Sequence, residues 1–301
     1  MENETAGECG TKNPLKLVFH RIEGSTDEQF LAFARQSQSL KGFSWLSVAA
    51  GRSSISVSPG SDLESVADLH IRVREAVDHV PWKLTTRSNH TLFEGQIPVI
   101  DWSSTLLKRV ASISLLRNPR DRIREMYDRT IAQLSPEAAK LFHKLTSLKS
   151  IPTFEECLLN EKCSDAMQLV KSCQAQTVAF CGMDCMFLSA KRVTEEMLEK
   201  AKGNLHRFLL VGIVEDPRAT AEMLRRIVPT YFEFLPANFS LEHRHYEYST
   251  SATRVLDEIC RYDDALYVEA FNVFSSKAKA CNIETSEVPL PVHSKKTFAL
   301  W

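Results

Sequence analysis

Three short, almost wholly apolar runs constrain this chain most. They are 15–19 (Leu-Lys-Leu-Val-Phe), 110–116 (Val-Ala-Ser-Ile-Ser-Leu-Leu) and 208–214 (Phe-Leu-Leu-Val-Gly-Ile-Val). Each is too short for a buried helix and is bounded by polar or turn-forming residues, so each predicts a strand buried on both faces. A charged or glycine-bearing turn and then a helical pattern follow each run. After the first, Phe30, Leu31, Phe33 and Ala34 form the apolar stripe. Ser25 or Thr26 supplies an N-cap there, and Asp27 and Glu28 favour the first turn. After the second, Pro119 suits the first turn of a helix that runs to about residue 133. After the third, Glu215-Asp216-Pro217 opens a helix to about residue 227. Strands alternating with helices in this way predict an α/β fold, a central mostly parallel sheet flanked by helices. Ligands in such sheets bind beyond the carboxyl ends of the strands, which places the turns after Ile22, Leu116 and Val214 on one rim.

The remaining chain is less regular. Short strands are expected at 54–58, 82–86 and 97–100, and an amphipathic helix opens at Asp62 with Leu63, Val66, Leu69, Val73 and Val77. Helices are expected at 135–148 and 194–205, and one long helix at 251–279. Residues 1–13 read as a polar, disordered lead-in, 14–282 as the folded domain and 283–301 as a loose tail.

Bulk charge excludes little. A formal net charge of -1 gives no case for nucleic-acid binding, although a local basic site for an acidic ligand is allowed. No apolar run approaches the roughly 18 to 20 residues that span a bilayer. The first residues, MENETAGECG, lack the basic and apolar regions of a signal peptide. The expectation is either a cytoplasmic protein or a chain without its membrane anchor. The eight cysteines point the other way. Cys157, Cys163, Cys181 and Cys185 fall in one short stretch, a spacing that suits local disulfides in an oxidising compartment. Reduced, buried thiols are the alternative, and zinc is disfavoured because no C-x-x-C or finger-spaced Cys/His pair occurs. Asn3, Asn89 and Asn238 begin N-x-S/T sequons, which matter only in a luminal protein.

The segment Arg117-Asn-Pro119-Arg-Asp-Arg122 sets an arginine at a strand end and another in the following helical turn. Beside free helix amides this makes a phosphate clamp; a solvated basic helix face is the alternative. With its strand, this segment resembles the strand–R-D-P-x-x-R–helix motif of the glycosaminoglycan sulfotransferases. The run from Phe208 to Asp216, with Pro229-Thr-Tyr-Phe232 behind it, is similar to the F-L-V-G-x-x-E-E…L-P-x-F-F segment of the 2-O-sulfotransferases within that family. Phe154-Glu-Glu-Cys157…Cys163…Phe180-Cys181-Gly182…Cys185 resembles the N-E-C…C…F-C-G…C stretch of the same subfamily. These blocks keep their order over most of residues 15–280.

The resemblance implies a P-loop-like sulfotransferase fold and transfer of a sulfo group from 3'-phosphoadenosine 5'-phosphosulfate (PAPS). The implied acceptor is a uronic acid 2-hydroxyl of an acidic polysaccharide. It implies no metal and no nucleic acid, residence in the Golgi lumen, and homo-oligomers in some members. Such chemistry needs a base for the hydroxyl proton and cations for the leaving phosphate. Asn89-His90-Thr-Leu-Phe93 matches the spacing of the family's H-x-x-F segment, which makes His90 the candidate base. Arg117 matches the arginine that holds the donor's 3'-phosphate. Gly24, Ser25 and Thr26 fall in the donor loop. Arg244, in His243-Arg244-His245, stands where the family has a lysine-rich loop.

The chain also departs from that pattern. Arg21-Ile-Glu-Gly-Ser-Thr-Asp-Glu-Gln-Phe30 replaces R-V-P-K-T-A-S-T-S-F. Gly24 stands at the lysine position, and Asp27 and Glu28 at small-residue positions. Glu125 stands where a serine shares the phosphate. An active enzyme would need Lys16, Arg21 or another cation at the leaving phosphate. Two readings therefore stay open: a sulfotransferase with a remodelled donor loop, and a catalytically inactive relative that binds a glycan or a protein. A nucleotide kinase ranks below both, because G-x-x-x-x-G-K-[ST] is absent.

Overall fold

The computed structural model describes residues 9–22, 24–25, 28–47, 90–95, 99, 110–148, 150–182, 185, 193–236, 239–241 and 244–291. The helix expected from Asp62 and the strands expected at 54–58, 82–86 and, Val99 apart, 97–100 lie outside them.

The described strands are β1 (Lys16–His20), β2 (Ser44–Ser47), β3 (Thr91–Gly95), β4 (Val110–Leu116) and β5 (Leu210–Ile213). The three apolar runs supply β1, β4 and β5. Leu17, Val18, Leu116 and Ile213 are fully buried, as strands covered on both faces require. All neighbouring pairs are parallel, in the order β2-β3-β1-β4-β5. Chain order along the sheet therefore reverses between β1 and β4. From β1 the chain passes through α1 (Glu28–Lys41) to the edge strand β2; from β4 it moves on to β5 at the other edge. The crevice between the carboxyl ends of β1 and β4 is the topological switch point.

Helix α2 (Pro119–Ala132) starts directly after β4, with Pro119 in its first turn and the Asn118 side chain capping the amide of Arg120. Then come α3 (Pro136–Thr146), α4 (Phe154–Leu158), α5 (Glu161–Ala166), α6 (Leu169–Ser172), α7 (Ala175–Cys181) and α8 (Glu195–Leu205). Asp216 caps α9 (Pro217–Ile227), and α10 (Pro229–Phe232) follows. The helix expected over 251–279 is two, α11 (Thr250–Ile259) and α12 (Arg261–Ala280). The break falls at Cys260, which is tied by a disulfide to Cys173. That partner lies far away in sequence, so helical periodicity alone does not show the break.

All eight cysteines pair. Cys157–Cys163 and Cys181–Cys185 are the two local bridges, and Cys9–Cys281 and Cys173–Cys260 are long-range. Their Cα separations, 5.0, 5.6, 4.8 and 4.9 Å, all suit a disulfide. Residues 9–13, expected in a disordered lead-in, are instead fastened. Cys9 is bridged to Cys281, Thr11 donates to the Arg226 carbonyl, and the Lys12 amide donates to the Ile227 carbonyl.

Two apolar cores result. The larger lies around the sheet, where Phe30 packs on Phe19 and stacks on Phe232. The smaller joins α2–α6 to α11 through Ile123, Tyr127, Phe154, Leu256 and the two bridges Cys157–Cys163 and Cys173–Cys260. The sheet's carboxyl rim at β4 lies between them.

Candidate functional site

Arg117 follows the last residue of β4 and is 97% buried, its side-chain exposure being 3%. Its backbone is held by Gln176 of α7, which accepts from the Arg117 amide at 3.1 Å and donates to the Arg117 carbonyl at 3.0 Å. Gln176 and Thr177 in turn donate their amides to Asp263 of α12, at 3.0 and 2.7 Å. The strand end, α7 and α12 are thereby locked as one polar unit.

The Arg117 guanidinium faces the loop after β1. Nη1 donates to the Gly24 carbonyl at 3.4 Å, and Nη2 lies 2.5 Å from Oε2 of Glu125. That last approach lacks hydrogen-bond alignment and is a charge contact; Nε has no hydrogen-bond partner among the described residues. The other oxygen of Glu125 accepts from Arg129 at 3.0 Å. One carboxylate therefore sits between two arginines, in the manner of a bound anion. The expectation that Glu125 stands at the phosphate-sharing position acquires a geometry here: Glu125 occupies the arginine itself.

The described residues of the loop after β1 offer little to an anion. Gly24 has φ +77° and turns its carbonyl, not an amide, toward Arg117. A Cβ at Gly24 would lie 2.8 Å from Cγ of Met126 and 3.0 Å from Cγ of Arg122. A lysine at this position would need the Met126 and Arg122 side chains to give way. Ser25 is buried, and its hydroxyl is directed at Gln176 at 3.4 Å. Thr26 and Asp27 lie outside the described residues, as does the side chain of Glu28.

The neighbouring cations are also matched. Arg122 faces Asp263 at 3.5 Å with both side chains fully buried, and it donates to the Ser172 carbonyl. Arg120 donates to Asp264 at 2.7 Å and to Asp257 at 2.8 Å. Arg21, at the carboxyl end of β1, lies 3.6 Å from buried Glu94 at the end of β3. Asn118 donates its amide to Glu215, and Tyr267 donates its hydroxyl to the same carboxylate. Burial pushes the Glu215 carboxyl upward, against those two hydrogen bonds.

A strap, 244–249, closes the outer side of α2. Asp121 accepts from His245 Nδ1 at 3.0 Å and from the Tyr246 amide at 3.2 Å. Burial nevertheless raises the Asp121 carboxyl. Tyr248 donates to the Arg120 carbonyl, and Arg124 lies over the rings of both Phe154 and Tyr246. Arg244 is exposed on this strap, and its charge and that of Arg117 both lower the Tyr246 hydroxyl, which burial raises.

His90 immediately precedes β3, and its carbonyl accepts from the Ser44 amide at the start of β2. Its ring packs on Tyr231, whose hydroxyl donates to the Pro14 and Thr91 carbonyls at the amino ends of β1 and β3. Burial lowers the His90 imidazole, which weakens it as a base. The five residues of β3 separate it from the carboxyl rim, about 16 Å of strand. Lys16 starts β1 at the same amino edge. Neither His90 nor Lys16 reaches Arg117. Arg21 does stand at the carboxyl rim.

Reading residues one at a time missed Gln176, Asp263, Glu215 and the Asp121–His245 pair. All are held by contacts between distant segments. Asp121, Glu215 and His245 fall within segments that carried a local signal, but Gln176 and Asp263 do not.

No family model matches the chain, and no curated protein matches it.

Proposed function

We propose that this chain is a catalytically inactive protein on a sulfotransferase-like, P-loop-like scaffold, and that it acts by binding. The observation that carries this reading is the Arg117–Glu125 contact at 2.5 Å. The residue that would hold a donor phosphate is already neutralised by the chain's own carboxylate. The strand order, with two loops meeting at the switch point, supports the scaffold. The displacement of His90 to the amino edge and the crowding at Gly24 support the loss of chemistry. PAPS carries several negative charges, and a rim whose arginines face Glu94, Glu125, Asp257, Asp263 and Asp264 offers them little net attraction. Four disulfides support residence in an oxidising compartment such as the Golgi lumen. An acidic polysaccharide is the partner class that the family resemblance suggests.

The test is a thermal-shift titration with adenosine 3',5'-bisphosphate, beside an assay for sulfo transfer from PAPS. Wild type is expected to show no shift at millimolar nucleotide, and Glu125→Ser to gain one as Arg117 is released. Sulfo transfer by wild type that disappears in Arg117→Ala would overturn the proposal.

A further inference from the structure

The segment 284–291 forms no helix or strand, and among the described residues no main-chain hydrogen bond holds it. It is nevertheless seated, and at alternate positions. The Glu284 carbonyl accepts from Arg218 at 2.9 Å. The Ser286 amide donates to Oδ2 of Asp216 at 2.6 Å, and the Ser286 hydroxyl donates to Oδ1 at 3.3 Å. Val288 and Leu290 pack on the larger core. Contacts at 284, 286, 288 and 290 have the period of two by which a groove reads an extended chain. The polar wall of this groove is fixed by the fold. Asp216 is fully buried and caps α9, and Arg218 lies in the first turn of that helix.

We propose that this surface is a docking groove for an extended, proline-containing segment of another protein, and that residues 284–291 are its built-in competitor. The seated segment defines the chemistry of that partner. It offers a carbonyl to Arg218, an amide two residues later to Asp216, and then two aliphatic side chains, each followed by proline. Pro289 and Pro291 favour an extended chain and lack the amides that a sheet ladder needs. The hold is exchangeable for a physical reason. Contacts to two side chains and two aliphatic anchors, without a ladder, place the segment at the low end of local stability. The vacated groove is nonetheless unfavourable. Oδ2 of Asp216 would lose the one hydrogen bond it accepts among the described residues, and apolar surface would open where Val288 and Leu290 sat. A segment of the same pattern restores both contacts. A tethered segment competes at an effective concentration of about 1 mM, so the tail sets the affinity a partner must exceed. The groove flanks the start of α9, and the inference does not depend on the donor crevice.

Fluorescence anisotropy with a labelled synthetic peptide of residues 284–291 tests it on the full chain. Wild type is expected to bind this peptide weakly, against its own tail. Val288→Asp/Leu290→Asp in the chain unseats the tail and leaves Asp216 and Arg218 in place. That variant should bind the peptide at least about tenfold more tightly than wild type. Peptides carrying Ser286→Pro, which lacks the amide, or Val288→Asp/Leu290→Asp should bind neither chain. Wild type alone supplies a second measurement. Bound peptide should speed hydrogen exchange across its own 284–291 segment, because that segment is displaced. No binding by either chain, equal affinity of the two chains, or a Ser286→Pro peptide that binds like its parent would each overturn the proposal. So would a peptide-bound wild type whose tail exchange is unchanged, or a wild-type dimer that the peptide dissociates, since the groove would then take a second copy's tail.

Discussion

Nη2 of Arg117 and Oε2 of Glu125 approach to 2.5 Å at the end of β4, where an arginine without an internal partner would hold a ligand's anion. The contact links a strand end to the second turn of the next helix, so it forms as soon as β4 and α2 are built. Arg117 is buried and Glu125 is one quarter exposed, which leaves the pair only partly screened. Glu125→Ala is expected to cost about 2 kcal/mol of stability, because among the described residues the Arg117 guanidinium then keeps the Gly24 carbonyl alone. A double-mutant cycle with Arg117→Ala, read by urea denaturation, should give a favourable coupling of about 1–2 kcal/mol. A coupling near zero would remove the pair from any account of why the crevice is closed.

Gly24 is the second constraint on that crevice. Its φ of +77° is costly for any other residue, and a Cβ would press on Met126 and Arg122. Gly24→Ala is expected to lower stability by about 2 kcal/mol. Gly24→Lys, which would place a cation in the loop, should lower it at least as far and should not confer nucleotide binding. Thermal denaturation and nucleotide titration of both variants check this. Tight binding by Gly24→Lys would mean that the loop moves more freely than its packing against α2 allows.

The bridges separate local from long-range stabilisation. Cys173–Cys260 closes a separation of 87 residues and Cys157–Cys163 one of 6. Loop-closure entropy then assigns about 4–5 kcal/mol to the first and about 2 kcal/mol to the second. Cys173 also lies three residues before Gln176, and Cys260 three before Asp263, so the longer bridge fixes the two segments that hold Arg117 and Arg122. The Cys173→Ala/Cys260→Ala double variant is expected to lose about twice the stability lost by Cys157→Ala/Cys163→Ala, read by denaturant midpoint. Equal losses would show that folded-state packing, not chain entropy, sets the difference.

These particulars also show what was legible in the sequence. The strands β1, β4 and β5 were, because burial on both faces leaves an apolar run. β2 and β3 were not. Ser44-Trp-Leu-Ser47 is only four residues long, and β3 carries Glu94, a buried carboxylate whose partner Arg21 lies just past the end of β1. The spacing around His90 matched a motif, but spacing does not say at which end of a strand a residue lies. Arg117 could be placed at the rim from its position after an apolar run. Its neutralisation by Glu125 could not, because a side chain's direction depends on packing. Gln176 and Asp263 are polar residues in unremarkable local contexts, and their roles arise only when α7 and α12 meet.

The Asp263–Arg122 pair gives a pH signature. Burial raises the Asp263 carboxyl to about 6, although Arg122 and the Thr177 hydroxyl favour its charge. Between the unfolded value of 3.8 and the folded value of about 6, the folded state binds more protons at this site than the unfolded state. Stability from this group is therefore highest below 3.8 and falls as pH rises through about 6. Asp263→Asn removes the titration and takes from Arg122 the carboxylate that faces it at 3.5 Å. The gap in stability between wild type and Asp263→Asn should narrow as pH is raised from about 5 to about 7.5, because only wild type carries the raised carboxyl. Urea denaturation of both proteins across that range reads the gap directly. A gap that widens would mean that charged Asp263 is stabilised by Arg122 and the α7 amides more than burial penalises it.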